Sequence, residues 1–345
     1  MRAIWQPDRT AIEKTNVWHL MQHLSIADRE EFLAFSISHP ETFWAELERW
    51  LGVEWFTPYD EVLDTTGGAA WTRWYTNGEL NITHNCLDRH ISSSRPACIW
   101  RDEAGERRAV SFASLAADSR RLAAWMTASG ITTGERVALC VPMLPELLTV
   151  LYACWQIGAI VVPIFSGFGA SAIASRLEDS GARLIFTAES LWRRGKCLPL
   201  RAKVEEAMTR YGIAKKIVEL DEIATLTKDY PDTLATLPLA SNAPAMILYT
   251  SGTTGRPKGC VHTHAGALIQ TAKEIGLAFD HQPDDKFFWL SDIGWMMGPW
   301  TIIGNHHFGG TILLYDGAPD YPDGDQLWRI LEEEQITTFG VSTTA

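Results

Sequence analysis

The sequence lacks an excess of basic residues. It carries 30 lysines and arginines against 42 aspartates and glutamates, which gives a formal net charge of −12. A nucleic-acid-binding surface needs a cluster of basic side chains that contact phosphates, and no such cluster occurs along this chain. We therefore expect no nucleic-acid partner.

The six cysteines also lack a pattern. They form neither a C-x-x-C pair nor the spacing of a metal site: Cys86, Cys98, Cys140, Cys154, Cys197 and Cys260. The first residues, MRAIWQPDRTAIEK, have no apolar core of the kind that a signal peptide needs. These features predict reduced thiols in a cytoplasmic protein and no metal ligand within this chain.

One segment approaches the length of a membrane span. Residues 147–165, LLTVLYACWQIGAIVVPIF, are almost entirely apolar, but Gly158 and Pro163 interrupt them. We predict a buried helix over 145–157 that ends before the glycine, followed by a buried strand in AIVVPIF. No membrane partner is expected.

Short apolar strands alternate with helical segments from residue 136 onward. Because parallel strands need crossover connections that cover both faces, this alternation predicts an α/β fold with parallel sheets flanked by helices. The loop-like stretch 221–243 suggests two similar subdomains, 92–235 and 236–345. The strands are predicted at 136–141, 159–165, 182–189, 245–250, 286–290, 311–315 and 337–341, and the helices at 145–157, 171–181, 199–211, 264–278, 299–308 and 325–334.

The first ninety residues are rich in tryptophan. Seven of the 15 tryptophans fall within 5–74, and a single clear amphipathic helix is visible, PETFWAELERWLG at 40–52. We predict an N-terminal extension over 1–91 that packs on the main body through its aromatic side chains. A carbohydrate-binding surface is the alternative, although large aromatic side chains are more often simply buried.

A loop rich in glycine and hydroxyl groups follows the strand predicted at 245–250. In its sequence, YTSGTTGRPKG at 249–259, the glycines let the backbone come close to a ligand, the threonines and serine supply hydroxyl donors, and the lysine supplies a cation. We expect the loop to lead within five residues into a helix. This combination predicts a phosphate ligand, with a surface hairpin as the alternative. We assign Lys258 and Thr253 as catalytic. The phosphate contacts are assigned to Thr250, Ser251, Gly252, Thr253, Thr254, Gly255 and Lys258.

The loop is not of the Walker type. Lys258 is preceded by proline and followed by glycine, so the hydroxyl that would hold magnesium beside the lysine is absent. The loop resembles instead the phosphate-binding motif of the adenylate-forming enzymes, which include acyl-CoA synthetases, peptide-synthetase adenylation domains and luciferases. This resemblance implies ATP as a cofactor, together with Mg²⁺ whose carboxylate ligand this chain does not contain.

Two further stretches resemble the acetyl-CoA synthetase branch of that superfamily. They are NGELNITHNCLDRHI at 77–91 and FFWLSDIGWMMGPW at 287–300. The second stretch implies a substrate pocket around Trp295, Met296, Met297 and Gly298. Enzymes dedicated to acetate typically carry a smaller pair in place of the two methionines, so we expect a different acyl preference. The alternative is that these residues belong to the general core.

A third segment, LWRRGKCLPL at 191–200, is similar to one that contacts the 3′-phosphate of coenzyme A. The implied contacts fall on Arg193 and on Lys196, where the family has a second arginine. A lysine still meets a phosphate as a point charge but loses the bidentate fork. Solvated basic side chains are the alternative.

The chain ends at ITTFGVSTTA, before the family's later motifs. Those motifs supply the magnesium glutamate, the ribose aspartate, a hinge and a C-terminal domain with a catalytic lysine. The resemblance therefore implies the N-terminal part of an AMP-forming, short-chain acyl-CoA synthetase, an acid–thiol ligase that joins a small-molecule carboxylate to CoA. We expect this part to be inactive without the missing C-terminal half. A non-catalytic piece that binds a nucleotide or a partner is the alternative.

Overall fold

Two mixed sheets with helices around them form the centre of the fold. The computed structural model describes residues 6–213, 215–250, 255–282 and 284–342. The strands are β1 Glu61–Asp64, β2 Arg73–Thr76, β3 Glu79–Leu80, β4 Pro96–Asp102, β5 Arg107–Ser111, β6 Arg136–Leu139, β7 Ile160–Pro163, β8 Leu184–Thr187, β9 Ser190–Arg193, β10 Lys196–Pro199, β11 Lys216–Glu219, β12 Leu239–Ala240, β13 Pro244–Thr250, β14 Lys258–Thr263, β15 Lys286–Trp289, β16 Thr311–Asp316 and β17 Thr338–Gly340. The α-helices are α1 Arg9–Glu13, α2 Asn16–His23, α3 Arg29–Ser38, α4 Pro40–Leu51, α5 Ile82–Cys86, α6 Phe112–Ala128, α7 Glu146–Gln156, α8 Ala170–Ser180, α9 Arg201–Tyr211, α10 Ile223–Thr227, α11 His264–Lys273, α12 Met297–His307 and α13 Gln326–Glu333.

The six-stranded sheet has the order β11-β8-β6-β7-β13-β14. Its strands are parallel except for β14, which is antiparallel to β13. Successive residues of β6 enter different apolar cores: Val137 and Leu139 contribute to one core and Ala138 to another. Because side chains alternate along a strand, this sheet is buried on both faces, as the continuous apolar strands predict. The α/β class with parallel sheets flanked by helices is confirmed.

The five-stranded sheet has the order β17-β15-β16-β4-β5. Strands β4, β15, β16 and β17 run parallel, and β5 pairs with β4 in antiparallel fashion. Neither β4 nor β5 was predicted from the sequence. Strand β4 precedes the predicted subdomain division and its partner β16 follows it, so this sheet contains strands from both sides of the division.

The strand pairing crosses the division predicted between 235 and 236 in both directions. Strand β13 lies after that division but pairs with β7, and β4 lies before it but pairs with β16. The two sheets therefore do not correspond to the segments 92–235 and 236–345. Consecutive strands usually pair, which is why a loop between them suggested the boundary, and here the chain passes between the sheets instead.

Residues 6–52 contain four helices, where the sequence indicated a single clear one. Helices α1, α2 and α3 are short, and each begins at a side chain that caps it: Asp8, Thr15 and Asp28. They bury few side chains, none in α1, Leu20 and Met21 in α2, and Phe32 in α3, which is too few for a repeated apolar face. Helix α4 matches the prediction and ends at Gly52, whose φ of 68° is left-handed.

Most of the tryptophans in this region pack on the main core. The partly buried ones in contact with it are Trp44, Trp50, Trp55 and Trp74. Trp71 is not in this group, since 79% of its surface is exposed. Segment 147–165 divides into α7 and β7 as predicted. Within the described ranges, none of the helices combines the length and the apolar character needed to cross a bilayer.

Candidate functional site

The predicted phosphate loop, residues 250–258, lies at the end of a β-hairpin. Thr250 at the end of β13 pairs with Lys258 at the start of β14, so the two ends of the predicted loop lie opposite each other. The helix predicted from residue 264 begins there as α11, and the residues between the loop and this helix form strand β14. That helix is capped by Thr263, whose hydroxyl accepts from the Gly266 N–H. The phosphate argument therefore rests on the hairpin loop and not on a helix N-terminus.

Four of the assigned phosphate contacts lie outside the described residues: Ser251, Gly252, Thr253 and Thr254. The other three, Thr250, Gly255 and Lys258, are exposed. Gly255 has a φ of 89°, a conformation that favours glycine. Among the described residues, Lys258 has no carboxylate partner within ion-pair distance. Its ammonium group is therefore not neutralised by a described side chain.

The base of the hairpin is held by a tyrosine. The Tyr249 hydroxyl donates a hydrogen bond of 2.6 Å to Asp179 Oδ2 on α8. Burial and the neighbouring Asp179 carboxylate raise the pKa of Tyr249 well above its usual range, so the phenol stays protonated. Because Tyr249 directly precedes Thr250, this bond fixes the strand end from which the phosphate loop departs.

A buried arginine connects the same hairpin to the loop after β7. The guanidinium carbon of Arg176 lies 4.2 Å from the ring centroid of Phe168 and 5.6 Å from that of Tyr249. One guanidinium nitrogen also donates to the Ala172 carbonyl at 2.8 Å. A guanidinium over an aromatic face is attracted to the negative ring face, and burial strengthens that attraction. Burial lowers the pKa of Arg176.

The loop after β7 also contacts the stretch 287–300, which we call the acyl stretch. The Trp295 ring centroid lies 5.6 Å from Phe165 and 6.3 Å from Phe168. Gly294 backs onto the same loop, since a Cβ at that position would lie 2.3 Å from the Phe165 nitrogen. The structure therefore brings the acyl stretch and the base of the phosphate loop together through one set of aromatic side chains.

Asp292 fixes the path of the acyl stretch. Its Oδ2 accepts a hydrogen bond of 2.9 Å from the Ser166 hydroxyl, and its Oδ1 accepts one of 2.8 Å from the Gly294 N–H. Burial raises the pKa of Asp292 to about 6. Sequence reasoning missed this residue. The signal that could have identified Asp292 is a carboxylate placed between the apolar strand β15 and Trp295.

The four residues assigned to the substrate pocket have different environments. Trp295 and Met296 are 48% and 36% exposed. Met297 begins α12 and packs on a cluster that contains Phe287 and Trp300. Gly298 is buried, and a Cβ there would lie 2.7 Å from the Asp292 carbonyl oxygen. Met296 therefore faces outward beside Trp295, whereas Met297 faces the protein interior.

The residues assigned to coenzyme A lie on the β9–β10 hairpin. Arg193 and Lys196 pair across it. The Arg193 Nη1 donates a hydrogen bond of 2.7 Å to Asp316 Oδ1, so this cation is already engaged. Lys196 is exposed and has no ion pair with the described part of the chain. Beside the hairpin is an open groove of about 430 Å³, lined by Arg193, Arg194, Lys196, Leu198, Gly317, Ala318 and Pro319.

No metal centre is evident in the described ranges. In residues 6–213, 215–250, 255–282 and 284–342, no three His, Cys, Asp or Glu side chains converge in a way that would hold a metal ion. The cysteines are free, four of them buried, and Cys197 and Cys260 exposed. Burial raises the pKa of the Cys98 and Cys140 thiols to about 12, so these two side chains are unreactive.

Family models match almost the whole chain. Residues 89–345 match the model described as AMP-binding enzyme, and residues 29–86 match the model described as acetyl-coenzyme A synthetase N-terminus. The chain belongs to the AMP-binding enzyme family. Within that family its N-terminal region is of the acetyl-CoA synthetase type, which confirms the resemblance stated from residues 77–91 and 287–300.

Curated relatives narrow the similarity further. An acetyl-coenzyme A synthetase from Pyrobaculum arsenaticum is 35% identical, over 90% of this chain and 50% of the relative. One from Laribacter hongkongensis is 34% identical, over 88% of this chain and 49% of the relative. The structure of an acetoacetyl-CoA synthetase from Streptomyces lividans superposes with a TM-score of 0.91 at 28% identity, covering 99% of this chain and 55% of that one. The chain thus spans about half the length of these proteins.

Proposed function

We propose that this chain supplies the phosphate loop and the acyl pocket of an AMP-forming, short-chain acyl-CoA synthetase. In the overall reaction a carboxylate, ATP and coenzyme A give an acyl-CoA, AMP and pyrophosphate. The carboxylate oxygen attacks the α-phosphorus of ATP, and the bond to the β-phosphate oxygen breaks. The thiol of coenzyme A then attacks the acyl carbon, loses its proton and displaces AMP.

The connection between the phosphate loop and the acyl stretch supports this proposal. Tyr249, at the base of the loop, shares Arg176 with Phe168, and Phe168 contacts Trp295. A reaction between a carboxylate and ATP needs both substrates at neighbouring positions, and these contacts make the two segments neighbours. A phosphate loop remote from the acyl stretch would not serve such a reaction.

The proposed role of Lys258 is electrostatic. Negative charge builds on the pyrophosphate as it leaves, and a cation that no described carboxylate neutralises is available to stabilise it. Thr250, Gly255 and the proposed contacts Ser251, Gly252, Thr253 and Thr254 would donate to the phosphate oxygens. Thr253 is further proposed as a catalytic donor. These groups position and stabilise, and none of them forms a covalent bond to the substrate.

The remaining parts of the proposal follow from the family. Mg²⁺ is proposed as a further cofactor, with a carboxylate ligand that these 345 residues do not include. The free thiols favour a cytoplasmic enzyme.

Arg193 and Lys196 are proposed to contact the 3′-phosphate of coenzyme A, with Asp316 holding Arg193 in place. The enzyme is proposed to use a short acyl group other than acetate at least as well as acetate, because Met296 and Met297 replace the smaller pair expected for acetate.

Pyrophosphate exchange tests the proposal. We use the term full-length protein for this chain joined to the C-terminal half of an acetyl-coenzyme A synthetase relative. We expect it to catalyse carboxylate-dependent exchange of labelled pyrophosphate into ATP, and the 345-residue polypeptide by itself to show none above background. Lys258→Ala should suppress the exchange, whereas Lys228→Ala, which removes an exposed cation elsewhere, should not. ATP binding without exchange in the full-length protein would favour a nucleotide-binding role over the ligase.

A further inference from the structure

Glu103 is a buried carboxylate that lies next to the groove proposed for coenzyme A. It is 7% exposed and belongs to the turn between β4 and β5. Its Oε2 accepts hydrogen bonds from the Arg194 N–H at 2.9 Å and the Ala318 N–H at 3.1 Å, and its Oε1 accepts one from the Gly195 N–H at 2.7 Å. Among the described residues, no arginine or lysine side chain is within ion-pair distance of it.

These three bonds join separate parts of the chain. Arg194 and Gly195 form the tip of the β9–β10 hairpin, and Ala318 lies in the turn after β16. A charged acceptor makes stronger hydrogen bonds than a neutral one, and backbone N–H groups that converge on an anion stabilise its charge. Glu103 therefore holds the hairpin tip against the turn after β16.

The geometry of the hairpin tip matches this role. Arg194 and Gly195 both have positive φ angles, 53° and 68°, as in a two-residue type I′ turn. A Cβ on Gly195 would lie 2.5 Å from the Tyr321 hydroxyl oxygen, so a larger residue at this left-handed position would have to displace that side chain. Opposite, a Cβ on Gly317 would lie 2.9 Å from the Glu103 Cβ. Arg194 and Gly195 are themselves exposed, so the position of the tip depends on the bonds from its backbone to Glu103.

The same two segments form the walls of the groove. Arg193, Arg194 and Lys196 come from the hairpin, and Gly317, Ala318 and Pro319 come from the turn after β16. Glu103 itself does not line the groove; it lies behind it, bonded to both walls. The ion pairs Arg193–Asp316 and Arg194–Asp320 also join the two segments, through side chains. Glu103 is bonded to the backbone of both, so we expect a change in this carboxylate to alter the spacing between the walls.

We propose that Glu103 is a positioning residue for the coenzyme A groove. It holds Lys196 and Arg193 at the distance from the 317–319 turn at which a terminal phosphate fits between them. This inference rests on the proposed function, because it takes the groove as the site of the 3′-phosphate. It adds a residue that touches neither the coenzyme nor the reacting atoms.

Discrimination between coenzyme A and dephospho-coenzyme A tests the proposal. Calorimetric titration of the protein should show coenzyme A binding about tenfold or more tightly than the dephospho form, because a phosphate adds charge-assisted bonds. Glu103→Gln keeps the shape of the side chain but replaces one acceptor oxygen with a donor and removes the charge. We expect this variant to reduce the discrimination to about threefold or less, with ATP binding unchanged.

Three controls make the outcome decisive. Glu106→Gln changes an exposed carboxylate of the same turn and should leave the discrimination intact. Lys196→Ala tests the groove itself and should lower the discrimination. If Lys196→Ala lowers it but Glu103→Gln does not, the positioning role is wrong while the groove stands. If the unmodified protein does not discriminate, both the groove assignment and the positioning role are overturned.

Hydrogen exchange gives a measurement that needs no variant. The amides of Arg194, Gly195 and Ala318 lie in turns, yet their hydrogen bonds to a buried carboxylate should protect them together. We expect these three amides to exchange at least tenfold more slowly than the amide of Gly324, an exposed turn residue whose N–H donates to no described group, and to slow further with coenzyme A. Exchange as fast as that of Gly324 would overturn the proposal even if Glu103→Gln fails to fold.

Discussion

The carboxylate of Asp292 accepts a hydrogen bond of 2.9 Å from the hydroxyl of Ser166. Ser166 lies after β7, in the six-stranded sheet, and Asp292 lies after β15, in the five-stranded sheet. The bond therefore joins the two sheets at their strand ends, where ligands bind in α/β folds. Asp292 also positions Trp295, because the Trp295 backbone N–H donates a hydrogen bond of 3.1 Å to the Asp292 backbone carbonyl.

The first prediction concerns the titration of Asp292. Burial raises its pKa from 3.8 to about 6, so the folded protein binds a proton more readily than the unfolded chain. The stability due to this proton is complete below the unfolded pKa and is lost as the pH rises through the folded one. Between pH 8 and pH 5, wild type should gain on the order of 1 kcal/mol of unfolding free energy relative to Asp292→Asn.

Urea denaturation at both pH values measures this difference. Asparagine can still accept from the Gly294 N–H and donate to the Ser166 hydroxyl, so the variant should fold. Asp229→Asn, which changes an exposed carboxylate, serves as the control and should show no such dependence. Parallel stability profiles for wild type and Asp292→Asn would contradict a raised pKa at this position.

The second prediction concerns a buried pair in the core. The Tyr152 hydroxyl lies 2.6 Å from His306 Nδ1, and His306 Nε2 lies 2.9 Å from the Ala97 carbonyl oxygen. Since a carbonyl only accepts, Nε2 carries the proton and Nδ1 accepts from the tyrosine. Tyr152→Phe would leave Nδ1 unpaired in a buried site, which should cost about 1–3 kcal/mol of unfolding free energy. Tyr211→Phe, at an exposed tyrosine, is the matched control.

This pair also predicts a pH dependence. Burial lowers the pKa of His306 from 6.5 to about 4, so the unfolded chain binds a proton in this range that the folded protein does not. Stability is complete above the unfolded pKa and is lost as the pH falls toward the folded one. His306 should therefore contribute less to the unfolding free energy at pH 4.5 than at pH 7, in the direction opposite to Asp292. NMR titration of the His306 imidazole in the folded protein isolates this contribution, and a ring that is protonated at pH 6 would contradict the lowered pKa.

The sequence predicted the elements better than their arrangement. Strands such as β6 and β7 are continuous apolar runs, which the pattern identifies directly. The pairing of β4 with β16 joins residues more than two hundred positions apart, and nothing local encodes it. The short helices α1 to α3 depend on single capping side chains rather than on a repeated apolar face, so periodicity missed them.

In the candidate site, too, local sequence features were predicted and contacts between distant residues were not. The loop 250–258 and the acyl stretch were found because their composition is unusual. Arg176 and Glu103 were not, because each looks like an ordinary charged residue of a helix or a turn. Their roles come from partners distant in sequence, Tyr249 for Arg176 and Ala318 for Glu103. Only the folded arrangement shows that these charges are buried.

The third prediction concerns Lys258. The side chain is exposed and makes no ion pair with a described residue, so Lys258→Ala should change the unfolding free energy by less than about 0.5 kcal/mol. In the full-length protein the same substitution should slow carboxylate-dependent pyrophosphate exchange by about 10²-fold or more. Chemical denaturation and exchange kinetics on one preparation separate the two effects. An unchanged exchange rate would identify Lys258 as a solvated loop residue.

The fourth prediction separates the two methionines of the acyl stretch. Met296 is exposed beside Trp295, whereas Met297 is half-buried and packs on the cluster that contains Phe287 and Trp300. Met296→Val should therefore change the acyl preference, and Met297→Thr should chiefly destabilise the fold, by roughly 1–3 kcal/mol through lost packing and a newly buried hydroxyl.

The measurement is the ratio of kcat/KM for acetate to that for longer acids up to hexanoate, in the full-length protein. One methylene in a hydrophobic pocket is worth roughly 1–3 kcal/mol, so Met296→Val should shift the ratio by about tenfold or more. Met297→Thr should shift it less, while lowering the midpoint of thermal unfolding. If Met297→Thr changes the preference and Met296→Val does not, the acyl chain binds on the interior side of α12. In that case the outward position of Met296 has no part in substrate choice.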